Sequence, residues 1–124
     1  MEAIYYAVRR LPQLSREQFQ EYWRNTHGRL AERLLKALGA CRYVQVHTLD
    51  DPLNELLQGM RGITKEPYDG IVVIVGEREK LIEASSTEAG QRAMAELLED
   101  EKNFIDSSRS VIMIAQEHVI FESK

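Results

Sequence analysis

Ile71-Val-Val-Ile-Val75 is the stretch that most narrows what this chain can become. An unbroken β-branched run has no polar alternation, so it predicts a strand inside a sheet that is covered on both faces. It is far too short to cross a bilayer, which takes about 20 residues. In a chain of 124 residues there is room for one core and no second domain. Both covers for the sheet must therefore come from this single domain, residues 1–124, or from another copy of it.

The other segments supply the partners. Ala3 to Val8 is rich in β-formers and reads as a first strand, ended near Pro12. Ser15 and Gln18 form a capping box, and Leu14 with Phe19 a hydrophobic staple, at the entry to a helix. Phe19, Tyr22, Trp23, Thr26, His27, Leu30, Leu34 and Leu38 recur at helical spacing as its buried stripe, and Gly39 stops it. Gly28 costs about 1 kcal/mol against alanine in a helix interior, so the helix is expected to bend or loosen just after His27. Cys41 to Leu49 alternates as a second strand, with Tyr43, Gln45 and His47 on one side and Val44 and Val46 on the other. Asp50 to Pro67 begins with Asp51-Pro52, holds a short helical piece and is a candidate flap. The third strand covers Tyr68 to Gly76. A short helix from Glu79 to Ala84 is followed by a second amphipathic one, capped by Ser85 and Glu88. Glu99-Asp100-Glu101 reads as solvated surface, and a long final strand spans Val111 to Phe121.

The order β-α-β-β-α-β with right-handed crossovers predicts an α+β, ferredoxin-like fold, a four-stranded antiparallel sheet with both helices on one face. The opposite face is then bare and apolar, larger than monomers usually leave open. The same face of a second copy is the simplest cover, because a two-fold pairing is self-complementary. A homodimer is the expected state.

Several classes are excluded or disfavoured. With 16 basic and 20 acidic side chains the net charge is -4, which repels nucleic acid and anionic membranes. The same element order builds the RRM, but there the third strand presents stacking aromatics, and Ile71 to Val75 has none. The start of the chain lacks a secretory pattern, so a cytoplasmic location is expected. Cys41 is the only cysteine, which rules out an internal disulfide or a paired-cysteine metal site and suggests a buried small hydrophobe. The three histidines lie on separate elements without His-x-x-x-His spacing, so no metal is expected. No glycine-rich phosphate loop is present, and no cofactor is expected.

The candidate chemistry centres on His27 and Tyr43. His27 lies on the stripe that faces the sheet, where burial would keep the imidazole neutral and suited to act as a general base. A core histidine satisfied by a backbone carbonyl accounts equally well for the position. Tyr43 can donate to a carbonyl or enolate oxygen, with Gln45 orienting the same group and His47 as a second acid or base; an edge-strand aromatic and a solvent-exposed histidine are the bland alternatives. This trio is assigned to the helix side, because only that places Tyr43 with His27. Asp69 either orients an imidazole or caps the turn before the third strand, the turn being favoured. Tyr6 and Trp23 line an aromatic pocket or simply pack in the core. The direction of His118 stays open, since a bulge would reverse it.

Three stretches together resemble the EthD-domain family of dimeric α/β barrels over nearly the whole chain. They are Arg10-Leu-Pro-Gln-Leu-Ser-Arg-Glu-Gln-Phe-Gln-Glu-Tyr-Trp-Arg-Asn-Thr-His27, Arg42-Tyr-Val-Gln-Val-His47, and Asn103-Phe-Ile-Asp-Ser-Ser-Arg109 with Glu117-His118-Val-Ile-Phe121; Tyr68-Asp69-Gly70 adds a fourth match. The resemblance implies a cofactor-free dimeric barrel acting on a small organic molecule. Relatives accompany ether-degrading oxidative pathways or serve as dehydratases, decarboxylases or cyclases of aromatic polyketides. The more distant methylmuconolactone methylisomerase is similar in having a histidine matched by His27 and a tyrosine matched by Tyr43. Its reactive cysteine falls near Val73, and the acidic residue common in EthD domains of this strand is also absent. The isomerase mechanism therefore does not carry over.

The match favours a catalytic His27. The leading expectation is a cofactor-independent isomerase, dehydratase or cyclase of a small carbonyl or polyketide-like compound. Alternatives are a cofactor-free, oxygenase-like oxidoreductase of the same barrel type and a non-catalytic small-molecule-binding dimer.

Overall fold

The computed structural model describes residues 2–124. Strand β1 (Glu2–Val8) leads through the Ser15 capping box into one long helix made of α1 (Arg16–Glu21), a π-helical segment (Tyr22–His27) and α2 (Gly28–Ala37). Then come β2 (Ala40–His47), α3 (Pro52–Gly59), β3 (Gly70–Gly76), α4 (Arg78–Ser85), α5 (Glu88–Glu101), a 3₁₀ turn (Ser107–Arg109) and β4 (Val111–Gln116). The sheet order is β2-β3-β1-β4, all antiparallel. This is the ferredoxin-like arrangement, with the apolar strand β3 inside the sheet as its composition demands.

Register decides what each face carries. Tyr6 pairs with Val72 and Ile112, and Tyr43 with Ile74. Val8, Val72, Phe19, Trp23, Phe104 and Ile105 form one buried cluster, with Tyr6 and Tyr43 packed on it. Leu34, Leu35, Leu38, Ala93 and Leu97 form a second one against the other end of β2 and β3. Both clusters lie under the helices. Gly70 is required where Trp23 crosses the sheet: a Cβ there would run into the indole ring and the Val46 carbonyl. The residues of opposite parity, among them Val46, Ile71, Val73, Val111 and Met113, belong to the face without helices, and Val46 and Met113 are 47% and 52% exposed.

Five local expectations are corrected. The helix loosens before Gly28, not after it. The Trp23 carbonyl accepts from the Gln45 side chain (2.9 Å), which draws it off the α-helical ladder and matches the wider turn there. The second amphipathic helix is capped by Thr87, whose hydroxyl accepts from the Gly90 N–H, rather than by Ser85. Cys41 is exposed, because it stands at the irregular start of the edge strand β2, where pairing shifts between Ala40 and Arg42. Strand β4 ends at Gln116, where its pairing to the start of β1 is used up, leaving His118 beyond the sheet. Finally, the acidic run at the end of α5 is not all solvated: Asp100 and Glu101 turn inward. Among the described residues no helix is long and apolar enough to cross a membrane.

Candidate functional site

His27 is the last residue of the π-helical segment and is 5% exposed. Its Nδ1 lies 2.7 Å from Oδ2 of Asp100 on α5, and its ring packs on Phe104 with centroids 4.8 Å apart. Burial holds the imidazole pKa below its ordinary value, and Asp100 offsets only part of that effect. The ring is therefore neutral near pH 7. Because Asp100 is an acceptor, Nδ1 carries the proton and donates it, and Nε2 is left with its lone pair.

Asp100 is well prepared for this task. Burial pushes its carboxyl up, but hydrogen bonds from Tyr22, His27 and Asn103 outweigh that and keep it below the ordinary range. The Tyr22 hydroxyl donates to Oδ1 at 2.6 Å. Its neighbour Glu101 behaves in the opposite way. Burial raises its carboxyl to about 6, the hydrogen bond from Tyr6 opposes the shift, and the Asp100 charge adds to it. Two adjacent carboxyls are thus driven apart, one held ionised and one poised to take up a proton, by what each is bonded to.

On β2, Tyr43, Gln45 and His47 all lie on the helix side. Gln45 Nε2 donates to the Tyr43 hydroxyl (2.8 Å), and His47 Nε2 meets Gln45 Oε1 at 2.7 Å. His47 stacks on Trp23, 4.3 Å between centroids and 15° between planes. Its pKa is lowered by burial and by the nearby Arg24 charge. Burial raises the Tyr43 pKa, so the phenol is a proton donor at neutral pH. Tyr43 and His27 are on the same side of the sheet but have different partners, Gln45 for one and Asp100 for the other.

The remaining sequence candidates have other surroundings. Trp23 is fully buried. Tyr6 is half-buried on β1 and donates to Glu101 at 3.2 Å. Asp69 is 2% exposed and bonded to no histidine: Arg10 Nη1 and Arg16 Nε hold its Oδ1 at 2.6 and 3.0 Å, and the Arg10 backbone N–H its Oδ2 at 2.8 Å. It ties the start of the long helix to the entry of β3.

Apolar space lies on the same side of the sheet. Ile4, Ile74 and Ile114 of the sheet, with Leu81 and Ile82 of α4, line a cavity of about 210 Å³. By register, Ile112 and Ile114 share the helix side with Tyr6, yet they are 63% and 56% exposed, since the helices stop short of the edge strand β4.

Asp100, Glu101 and Tyr22 were missed as site residues. A signal for Glu101 existed: Ala93, Leu97, Glu101 and Phe104 follow one another at helical steps, so Glu101 continues the buried stripe of α5. Asp100 lies at helical steps from Leu97 and Phe104 as well, but its partner, 73 residues away in the chain, has no local signature.

The EthD domain family profile matches residues 11–108. Among solved structures, an ethyl tert-butyl ether D (EthD) family protein from Bacillus halodurans C-125 superposes with a TM-score of 0.59 at 18% identity, covering 95% of this chain and 100% of that one. HapK from Hahella chejuensis has a TM-score of 0.56 at 14% identity, covering 100% of both chains. No curated protein matches the sequence significantly.

Proposed function

We propose that this chain, which belongs to the EthD-domain family, is a cofactor-independent enzyme that performs acid-base chemistry on a small carbonyl or polyketide-like compound, as an isomerase, dehydratase or cyclase. The observation that carries the reading is the buried His27–Asp100 pair. A neutral imidazole whose Nδ1–H is fixed by a carboxylate keeps a basic lone pair at Nε2, the atom that accepts the proton in this reading. When it does so, Asp100 stabilises the imidazolium that forms, and the proton can be returned at another atom of the same molecule. Tyr43, kept protonated by burial, donates to the oxygen on which negative charge develops. The apolar margin beside Tyr6, with Ile112 and Ile114, suits the carbon skeleton of such a compound.

The working unit in this proposal is a homodimer. The helix-free face carries Val46, Ile71, Val111 and Met113, each at least 40% exposed, and an apolar surface of this kind is self-complementary about a two-fold axis.

The test of the chemistry is turnover of a panel of small ketones, enols and polyketide-like carbonyl compounds by wild type and His27→Ala, with thermal melts to confirm folding. A general base contributes roughly 100-fold or more to rate, so turnover should fall by at least that factor. Equal rates in the two proteins would remove His27 from the reaction.

A further inference from the structure

Several arginines are neutralised by a carboxylate. Arg10 and Arg16 share Asp69, and Arg33 faces Glu96. Arg24, Arg29 and Arg42 take part in no ion pair among the described residues. All three line one cleft of about 450 Å³ between the long helix and the edge strand β2. The one carboxylate there, Glu32, is engaged by Lys36 at 3.0 Å. In a chain with a net charge of -4, three uncompensated guanidiniums around one hollow make a local field opposite to that of the whole molecule.

The floor of the cleft is polar and kept open. Gly28 lies at its base, and a Cβ there would stand 3.4 Å from Gln45 Nε2 and 3.3 Å from the Trp23 carbonyl. Any side chain would cover the Gln45 amide, which joins the cleft to Tyr43 through the 2.8 Å hydrogen bond. The Tyr43 hydroxyl accepts that bond and donates to no group among the described residues, so its own proton is uncommitted. Guanidiniums, whose planar N–H donors pair with carboxylates, together with an uncommitted phenolic donor in the same lining, match a carboxylate attached to a carbonyl-bearing skeleton.

We propose that the cleft between α2 and β2 binds the carboxylate of a small organic acid through Arg24, Arg29 and Arg42, which makes organic acids the substrate class. The assignment as substrate, though not the binding itself, rests on the acid-base reading of His27. A volume of about 450 Å³ fits a small molecule.

Titration of the isotope-labelled full chain with benzoate, followed by NMR at the Gln45 side-chain amide and the arginine Nε–H groups, tests this. Saturable shifts should gather at Gln45, Arg24, Arg29 and Arg42 and weaken as salt is added. The Arg29→Gln/Arg42→Gln variant should bind about tenfold more weakly or worse, and the neutral isostere benzamide and inorganic phosphate should bind more weakly than benzoate to wild type. Both substituted residues are exposed, and a melt checks that the fold is retained; Arg24→Gln is the second variant. The proposal is overturned by an absence of saturable binding, by shifts that gather instead at Arg10 and Arg16, by benzamide or phosphate binding as tightly as benzoate, or by affinity unchanged in the variants. His27→Ala should still bind benzoate, so failure of the acid-base reading and failure of this one give different results.

Discussion

His27 Nδ1 and Asp100 Oδ2 meet at 2.7 Å across 73 residues of sequence. The contact joins the π-helical segment to the end of α5, and it selects which nitrogen of the imidazole carries the proton. Burial and the carboxylate act in opposite directions on this ring, with burial the stronger.

Replacing Asp100 by Asn removes the opposing influence and preserves the shape. The His27 pKa, already below 6.5 in the folded chain, should fall further. Because the folded value lies below the unfolded one, the stability linked to this ring is complete above the unfolded pKa and is lost as pH falls through the folded pKa. Ring-proton NMR titration of wild type and Asp100→Asn measures the shift, and an upward or null change would show that the carboxylate does not act on the imidazole.

Glu101 gives the opposite pH dependence. Its folded pKa of about 6 lies above the ordinary 4.5, so the favourable contribution is complete below 4.5 and lost as pH rises through 6. Glu101→Gln should flatten the stability profile in that window and stabilise the chain at pH 7 by on the order of 1 kcal/mol, after allowance for solvent screening. Urea melts at pH 4.5 and 7 decide; a variant that is less stable at pH 7 would contradict the assignment.

Asp69→Ala should be far more damaging than its position before a strand suggests. Burial alone would raise this carboxyl, but the Arg10 backbone N–H and the Arg16 and Arg10 guanidiniums hold it below 3.8. Its stabilising effect is therefore present above 3.8 and disappears as pH falls through the lower folded value. Removing one partner of a buried ion pair costs roughly 3 kcal/mol or more, which denaturant midpoints at pH 7 would register; a loss within experimental error would mark the cluster as ornamental.

Val73 sits in the central strand β3 on the face without helices, paired with Tyr5 and Val44. In the proposed dimer an arginine at this position buries an unpaired charge. Val73→Arg should convert a dimer to a monomer in sedimentation velocity at micromolar concentration. A wild type that already sediments as a monomer would end the proposal.

The fold was readable wherever a residue's role is local. The capping box at Ser15 and Gln18 is present in full, the period-two alternation of Tyr43, Gln45 and His47 matches one face of β2, and the run from Ile71 to Val75 does sit inside the sheet. Local reading failed where two signals competed for one position. Thr87 rather than Ser85 caps α5, and Gly28 marks the end of a widened turn whose cause is the Gln45 side chain on another element.

What the order of residues determined alone is the set of elements and their apolar faces, because hydrophobic spacing, caps and turns depend on neighbours within a few positions. Only the tertiary structure decided that Asp100 accepts the hydrogen bond from the imidazole Nδ1–H, that Glu101 is driven toward neutrality by its surroundings, and that Asp69 serves two arginines instead of a histidine. A carboxylate's proton affinity depends on the dielectric and the donors within a few ångströms of it, and those donors come from helices and strands that are distant in sequence.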